Sequence, residues 1–109
     1  MMLKKIEVFK ENDFSDKSFK NFLVHDSAYM KVMNFNFKAG QELPVHCHDI
    51  EGQLSIAVLE GTGQFLGDGG KTLDAGPGDV LIFDISEPHG VRAVLERPEG
   101  SRSRVAGGS

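Results

Sequence analysis

The sequence predicts an all-β fold, a small antiparallel β-barrel or jelly roll formed by one domain. Short runs of alternating apolar and polar residues recur along the chain, and turns containing glycine or proline separate them. The chain has 109 residues, of which 13 are glycine, and 39% of them are hydrophobic. This length suits one domain with a modest core. Many short strands with glycine-rich turns indicate a sandwich or barrel.

The strands follow from this alternation in chain order. A short strand is expected at residues 4–9, and residues 12–21 are expected to form a loop. The clearest strand covers residues 29–37, where Met33, Phe35 and Phe37 share one face. Further strands or extended runs are predicted at residues 22–24, 44–48, 53–59, 64–66, 71–73, 80–83 and 91–95.

The last part of the chain has a different composition. Residues 96–109 are rich in glycine, serine, glutamate and arginine, and they contain almost no apolar side chains. Such a segment buries too little apolar surface to order itself. We therefore expect one domain over residues 1–95, a polar, disordered tail over residues 96–109, and a barrel that lacks its last strand.

Charge and cysteine content exclude several classes of protein. The net charge is -4 and no basic cluster occurs in the body of the chain, so we expect no nucleic-acid partner. No apolar run approaches the roughly 18 residues that span a bilayer, so we expect no membrane partner. The first ten residues lack the apolar stretch of a signal peptide, and a single cysteine excludes an intrachain disulfide. These features favour a cytoplasmic protein.

Two histidine motifs carry the chemistry of the sequence. In a strand, His46 and His48 project to the same side and Cys47 to the other. Two imidazoles on one face form half of a typical transition-metal site, although an isolated His-x-His is more often two unrelated histidines on a protein surface. His89, which follows Gly78-Asp79 and an apolar strand, supplies a third imidazole. Cys47 lacks a base on its own face, so we interpret it as a buried or partner-facing thiol rather than a nucleophile.

The order of these motifs resembles the cupin family over about residues 29–94. In that family two such motifs meet inside a small β-barrel, and the resemblance implies a divalent metal ion bound by His46, His48 and His89. The matching segments are Gly40 followed by five residues and His46-Cys47-His48, then Glu60-Gly61, and later Gly78 to Phe83 with Pro88-His89.

The resemblance also implies a fourth ligand, since the family usually has a glutamate a few residues after the first motif. Counting forward from His48 gives Gln53, whereas counting back from Gly61 gives Leu54. Gln53 is our first choice of ligand and Glu51 the second. A neutral glutamine would leave the metal more positive, and more Lewis acidic, than a glutamate would.

Two classes of function are compatible with such a site. Three imidazoles suit Fe, Mn, Ni, Co or Zn, and apolar residues around Phe35, Ile56 and Phe83 would line a pocket for a small oxygenated molecule. Proteins of this family include dioxygenases, isomerases, decarboxylases and lyases, but the chain is equally compatible with a non-catalytic binding or sensor module. An acid–base group in the pocket would favour an enzyme, and the candidates are Glu51 and Tyr29.

We also expect a homodimer. A domain of this size has a limited core, and a missing last strand would leave unpaired N–H and C=O groups on its neighbour. The predicted strand at residues 4–9 is a candidate to cross over and fill this gap in a second copy.

Overall fold

The structure is a computed structural model that describes residues 3–94 and the backbone of residues 102–108. It contains one short helix, α1 (Val8–Glu11), and a 3-10 turn at Asp68–Gly70. No helix in this part of the chain is long and apolar enough to cross a membrane. The strands are β1 (Lys20–Asp26), β2 (Lys31–Lys38), β3 (Glu42–His46), β4 (Gln53–Glu60), β5 (Gly63–Leu66), β6 (Thr72–Ala75), β7 (Val80–Asp84), β8 (His89–Ala93) and β9 (Arg102–Gly108).

The strands form two antiparallel sheets, which confirms the all-β jelly-roll prediction. One sheet has the order β1-β2-β9-β4-β7, and the other has the order β3-β8-β5-β6. Sequence alternation located β2, β4, β7 and the β5–β6 hairpin closely, because each presents one apolar face to the same core. The two sheets do not join into a closed barrel in the described residues.

The hydrophobic core lies between the two sheets. Both contribute alternate side chains to it, as expected where each strand buries one face. Phe37 and Val58 are almost fully buried, at 0% and 1% exposure. The buried cluster consists of Phe37, Val58 and Leu81 from the first sheet and Phe65, Ala75, Val91 and Ala93 from the second.

The predicted strand at residues 4–9 is wrong. The structure has α1 there, without a buried residue, and no strand between residues 3 and 19. An alternating segment becomes a strand only where a neighbour offers backbone partners, and here the chain crosses β2 instead. Asn12 Oδ1 accepts hydrogen bonds from the side-chain amides of Asn34 and Asn36 at 2.5 and 2.9 Å. Both asparagines are fully buried, so β2 is covered on both faces.

Two ion pairs hold this N-terminal segment against the sheet. Lys20 donates a hydrogen bond to Asp13, and Lys38 donates one to Asp16. Each lysine lowers the pKa of its carboxyl partner below the usual value, through the hydrogen bond first and the charge second. Both carboxyl groups face solvent, so these pairs add little to stability and act mainly to orient the segment.

The C-terminal segment also differs from expectation. Residues 102–108, which the composition assigned to a disordered tail, form β9 and pair with β2 on one side and β4 on the other. A strand ladder needs only backbone N–H and C=O groups, so a low apolar content does not prevent it. The strand that the sequence indicated as missing is therefore present. Residues 95–101, with the predicted domain boundary, lie outside the described residues.

Candidate metal centre

A β-bulge places His46 opposite His89. His46 ends β3, His89 begins β8, and the two residues pair across the sheet. Between this pair and the Leu43–Val91 pair, β3 has one residue more than β8, so Pro44 and Val45 together oppose Gly90. A Cβ atom on Gly90 would lie 2.7 Å from the carbonyl oxygen of Leu43 and 2.9 Å from the amide nitrogen of Val45. The bulge therefore requires glycine at position 90.

His48 lies beyond the end of β3, in a loop that backbone hydrogen bonds hold in place. The His48 N–H donates to the carbonyl of Ile85 at 3.2 Å, and the Ile85 N–H donates to the carbonyl of Gly52 at 2.9 Å. These bonds fasten the loop after β3 to the turn that precedes His89. The His-x-His spacing predicted a strand through His48, whereas the structure brings His46 and His48 together through this tethered loop. Cys47, between them, is exposed.

The three histidines form one compact cluster. Their candidate ligand nitrogens all lie within 4.8 Å of one another, so they could hold a metal ion. The His46 ring centroid lies 4.6 Å from that of His89 and 5.2 Å from that of His48. The structure thus brings together the three histidines that the two sequence motifs single out.

Backbone carbonyls fix the orientation of two of these rings. His46 Nδ1 lies 2.8 Å from the carbonyl oxygen of Pro44, and His89 Nδ1 lies 2.7 Å from that of Glu87. A carbonyl oxygen only accepts hydrogen bonds, so in each neutral ring Nδ1 carries the proton and Nε2 has the free lone pair. Metal-binding histidines are typically held in this way. The donor set of three imidazole nitrogens fits a first-row transition metal ion or zinc.

The surroundings of the cluster are apolar on one side and open on the other. His89 is only 4% exposed, and the Phe83 ring stacks against it with 28° between the ring planes and 5.7 Å between the centroids. His48, by contrast, is exposed. Among the described residues, no aspartate, glutamate or cysteine joins the cluster. Phe35, Ile56 and Phe83, which were expected to line a pocket, are half-buried and pack against the core.

The position of Gln53 does not support its prediction as the fourth ligand. Gln53 begins β4 opposite Asp84, and both side chains are exposed. The next pair, Leu54 and Phe83, points to the other face of the sheet, where Phe83 contacts His89. The inner position next to the cluster is therefore occupied by Leu54, the residue reached by counting back from Gly61.

The two candidate acid–base residues also lie in exposed positions. Glu51 is in the loop before β4, and its side chain is exposed. Tyr29 lies in the turn between β1 and β2 and is 94% exposed. Sequence reasoning did not identify Gly90 as part of the site, although a glycine inside a strand often marks a close backbone approach.

Comparisons with known proteins agree with this fold and these motifs. A family model described as a cupin domain matches residues 33–98. An RmlC-like cupin protein from Desulfovibrio desulfuricans is 45% identical, with 98% of this chain and 95% of that chain covered and a TM-score of 0.88. The comparison with curated proteins found no match.

More distant structures share the fold alone. A conserved protein with a double-stranded β-helix domain from Klebsiella pneumoniae is 17% identical, with a TM-score of 0.85 over 98% of this chain and 89% of that one. A polyketide cyclase from Streptomyces resistomycificus is 21% identical, with a TM-score of 0.74 over 98% of this chain and 78% of that one.

Proposed function

The chain belongs to the cupin family, and on this premise we propose that it binds one divalent transition metal ion through His46, His48 and His89. The observation that carries the proposal is the cluster of three imidazoles, in which two rings are held through Nδ1 and present Nε2. Gln53 is left out of this ligand set because it lies on the outer face of β4. Water would complete the coordination of the ion.

We further propose that a small oxygenated molecule binds at this ion. A bound divalent ion would act as a Lewis acid on such a ligand, which is the chemistry that metal-dependent oxygenases, isomerases and lyases use. The protein would supply the orientation of the ion through the two carbonyl-bound imidazoles. The ring of Phe83 against His89 would exclude water from one side.

A non-catalytic binding or sensor module is the second candidate. It is favoured because no carboxylate of the described residues joins the cluster and because Glu51 and Tyr29 are exposed. Without a group beside the metal that accepts or donates a proton, a bound molecule could be held without being converted.

Metal analysis tests the first proposal. Protein purified without added metal should contain close to one equivalent of a first-row transition metal, as measured by plasma mass spectrometry. If chelator-treated protein fails to take up one equivalent of Fe, Mn, Ni, Co or Zn, the proposal is wrong. Oxygen-uptake screening of the loaded protein would then separate an oxygenase from a binding module.

We also propose that the protein forms a homodimer, through an exposed strand edge and not through a crossover strand at residues 4–9. The crossover strand at residues 4–9 is absent, and β9 occupies the gap that it was expected to fill. Support comes from β7, an edge strand whose outward side chains Val80 and Ile82 are 61% and 68% exposed. Large exposed apolar side chains on a sheet edge favour association.

A cytoplasmic location is also part of the proposal. It is supported by the single cysteine, since secreted domains of this size commonly contain disulfides.

Light scattering tests whether the dimer forms and whether β7 forms its interface. The unchanged chain should give about twice its mass of 11.9 kDa. Ile82→Lys should shift the mass to that of one chain, because an ammonium group cannot be buried against a second apolar face. Leu73→Lys, at an exposed position of β6 in the other sheet, is the matched control and should leave the dimer intact. A monomeric mass for the unchanged chain would contradict the proposal.

A further inference from the structure

We infer that residues 3–11 of one copy of this chain pack on the outer face of β4 and β7 of a second copy, and that the contact is reciprocal. The outer face is the face of the first sheet that points away from the core. The inference rests on the proposed homodimer and names the surface that the second copy contributes. Residues 3–11 contact the partner through side chains in this arrangement and not by strand pairing.

The chain covers one half of this outer face with its own N-terminal residues. β9 is the central strand of the sheet, with β1 and β2 on one side and β4 and β7 on the other. Residues 3–11 lie over β1 and β2. Lys4 Nζ is 3.1 Å from His25 Nδ1 of β1, and Asn12, which follows the segment, binds two asparagine side chains of β2.

The other half of the outer face is open and apolar. Val80 and Ile82 of β7 are 61% and 68% exposed. Their partners on β4 are Ala57 and Ser55, which have small side chains. This half is therefore a shallow surface on which a layer of another chain could pack.

The strand register places the two halves at the same levels along the strands. Directly paired residues share a face of a sheet and form rows across it. One row consists of His25, Val32, Gly108, Ser55 and Ile82, and the next of Phe22, Asn34, Ala106, Ala57 and Val80. Lys4 contacts the first row and Asn12 the second. The residues between Lys4 and Asn12 thus lie at the levels of Ile82 and Val80.

A twofold axis that runs parallel to the strands above β9 brings the two kinds of surface together. Rotation about this axis exchanges the β1–β2 half with the β4–β7 half and keeps every residue at its level along the strands. Residues 3–11 of each copy then lie on β4 and β7 of the other, next to Val80 and Ile82. Such a contact is closed and self-complementary, as in most homodimers.

Residues 3–11 carry apolar side chains that suit this contact. Leu3, Ile6 and Phe9 are 96%, 41% and 56% exposed, and α1 contains no buried residue. Packing them on Val80 and Ile82 removes apolar surface of both copies from water, and the symmetry does so twice in each dimer.

The charges of the two surfaces are opposite. Residues 3–10 contain three lysines and one glutamate. β4 and β7 contain two acidic residues, Glu60 and Asp84, and no basic one. This complementarity favours the packing of residues 3–11 on β4 and β7 over the packing of two lysine-rich segments on each other.

Cysteine cross-linking between two differently substituted proteins tests the arrangement. The exposed native thiol is removed by Cys47→Ser, and Ile6→Cys and Ile82→Cys are made separately in that background. After the two proteins are mixed and mildly oxidised, a disulfide should join an Ile6→Cys chain to an Ile82→Cys chain. Neither protein alone should cross-link efficiently, because the axis above β9 leaves the two copies of each position on opposite sides of the contact.

Two further variants serve as a control and as a test of charge. Leu73→Cys, at a 63% exposed position in the other sheet, should not cross-link with Ile82→Cys beyond the level of random collision. Lys5→Glu should weaken the dimer by about tenfold or more, as measured by light scattering on dilution, because it places a like charge beside the acidic surface. Lys71→Glu makes the same change in the exposed turn between β5 and β6 and should leave the dimer unchanged.

The outcomes distinguish the inference from the proposed dimer. If the unchanged chain is a dimer but Ile6→Cys and Ile82→Cys do not cross-link, or if each cross-links with itself instead, the inference is wrong and the dimer stands. Equal cross-linking of Ile82→Cys with Ile6→Cys and with Leu73→Cys would also overturn the inference. If the unchanged chain is a monomer, the proposed dimer fails and the inference fails with it.

Discussion

Replacing His46 and His48 together by alanine is expected to abolish metal binding while the fold survives. The double variant leaves His89 as the only imidazole of the cluster, and one such ligand does not retain a divalent ion at micromolar protein concentration. Loss of an outer hydrogen-bond partner alone typically lowers metal affinity by about 10- to 100-fold, so removal of two direct ligands should exceed that range. Neither residue belongs to the buried core cluster, so the thermal unfolding of the metal-free protein should change little.

The chain offers a matched control for this experiment. His25 is the one histidine of the sequence outside the cluster. It lies in β1, with Lys4 Nζ at 3.1 Å from its Nδ1. His25→Ala should retain a full equivalent of metal by plasma mass spectrometry and by titration. If the double variant keeps its metal, or if His25→Ala loses it, the ion is bound elsewhere.

Gly90→Ala should weaken both the fold and the metal site. The added Cβ would meet three backbone atoms of β3 at 2.7 to 3.0 Å, and backbone cannot rotate aside as a flexible side chain can. Overpacking of this kind costs about 1–3 kcal/mol. The bulge must shift to make room, and it positions both His46, which follows it, and the Pro44 carbonyl that accepts the hydrogen bond from His46 Nδ1. We therefore expect a lower melting temperature together with a metal affinity reduced by about tenfold or more.

Gly67→Ala is the control for a glycine in extended backbone without a close approach. Its added Cβ would lie 3.7 Å from the Cβ of Lys71, an ordinary contact. It should change neither the melting temperature nor the metal affinity appreciably. A Gly90→Ala protein that is destabilised but binds metal with unchanged affinity would show that the bulge supports the fold without positioning His46.

The parts of the fold that the sequence predicted are those with one face on the core. β2, β4 and β7 alternate because Phe37, Val58 and Leu81 enter the same apolar layer. Residues 4–9 alternate as well, but no strand among the described residues pairs with this segment, and alternation does not encode whether a pairing strand is available. β9 was not predicted, because its place depends on backbone pairing with β2 and β4, which the composition of the segment does not encode.

In the candidate site, too, the residue types could be predicted from the sequence, but their exact positions could not. The three histidines could be predicted because the order of their two motifs resembles that of the cupin family, in which the motifs meet inside a small β-barrel. The fourth position could not, because Gln53 and Leu54 differ by one residue and neighbouring residues in a strand face opposite sides. The bulge at Pro44–Val45 could not be predicted from the periodicity of apolar residues either, since it depends on the close approach of two backbones at Gly90.

The central place of β9 has a consequence for how the protein folds during synthesis. β9 is the last of the described strands to be synthesised, yet it lies between β2 and β4, which are made much earlier. Until residue 108 has been translated, these two strands have no partner on the sides that they present to each other. Completion of the sheet must then bring β9 to β2, about 70 residues away in sequence, and to β4, about 50 residues away, and such non-local pairing is slow. The nascent chain therefore carries two open strand edges, which are the sites where premature association with other chains begins.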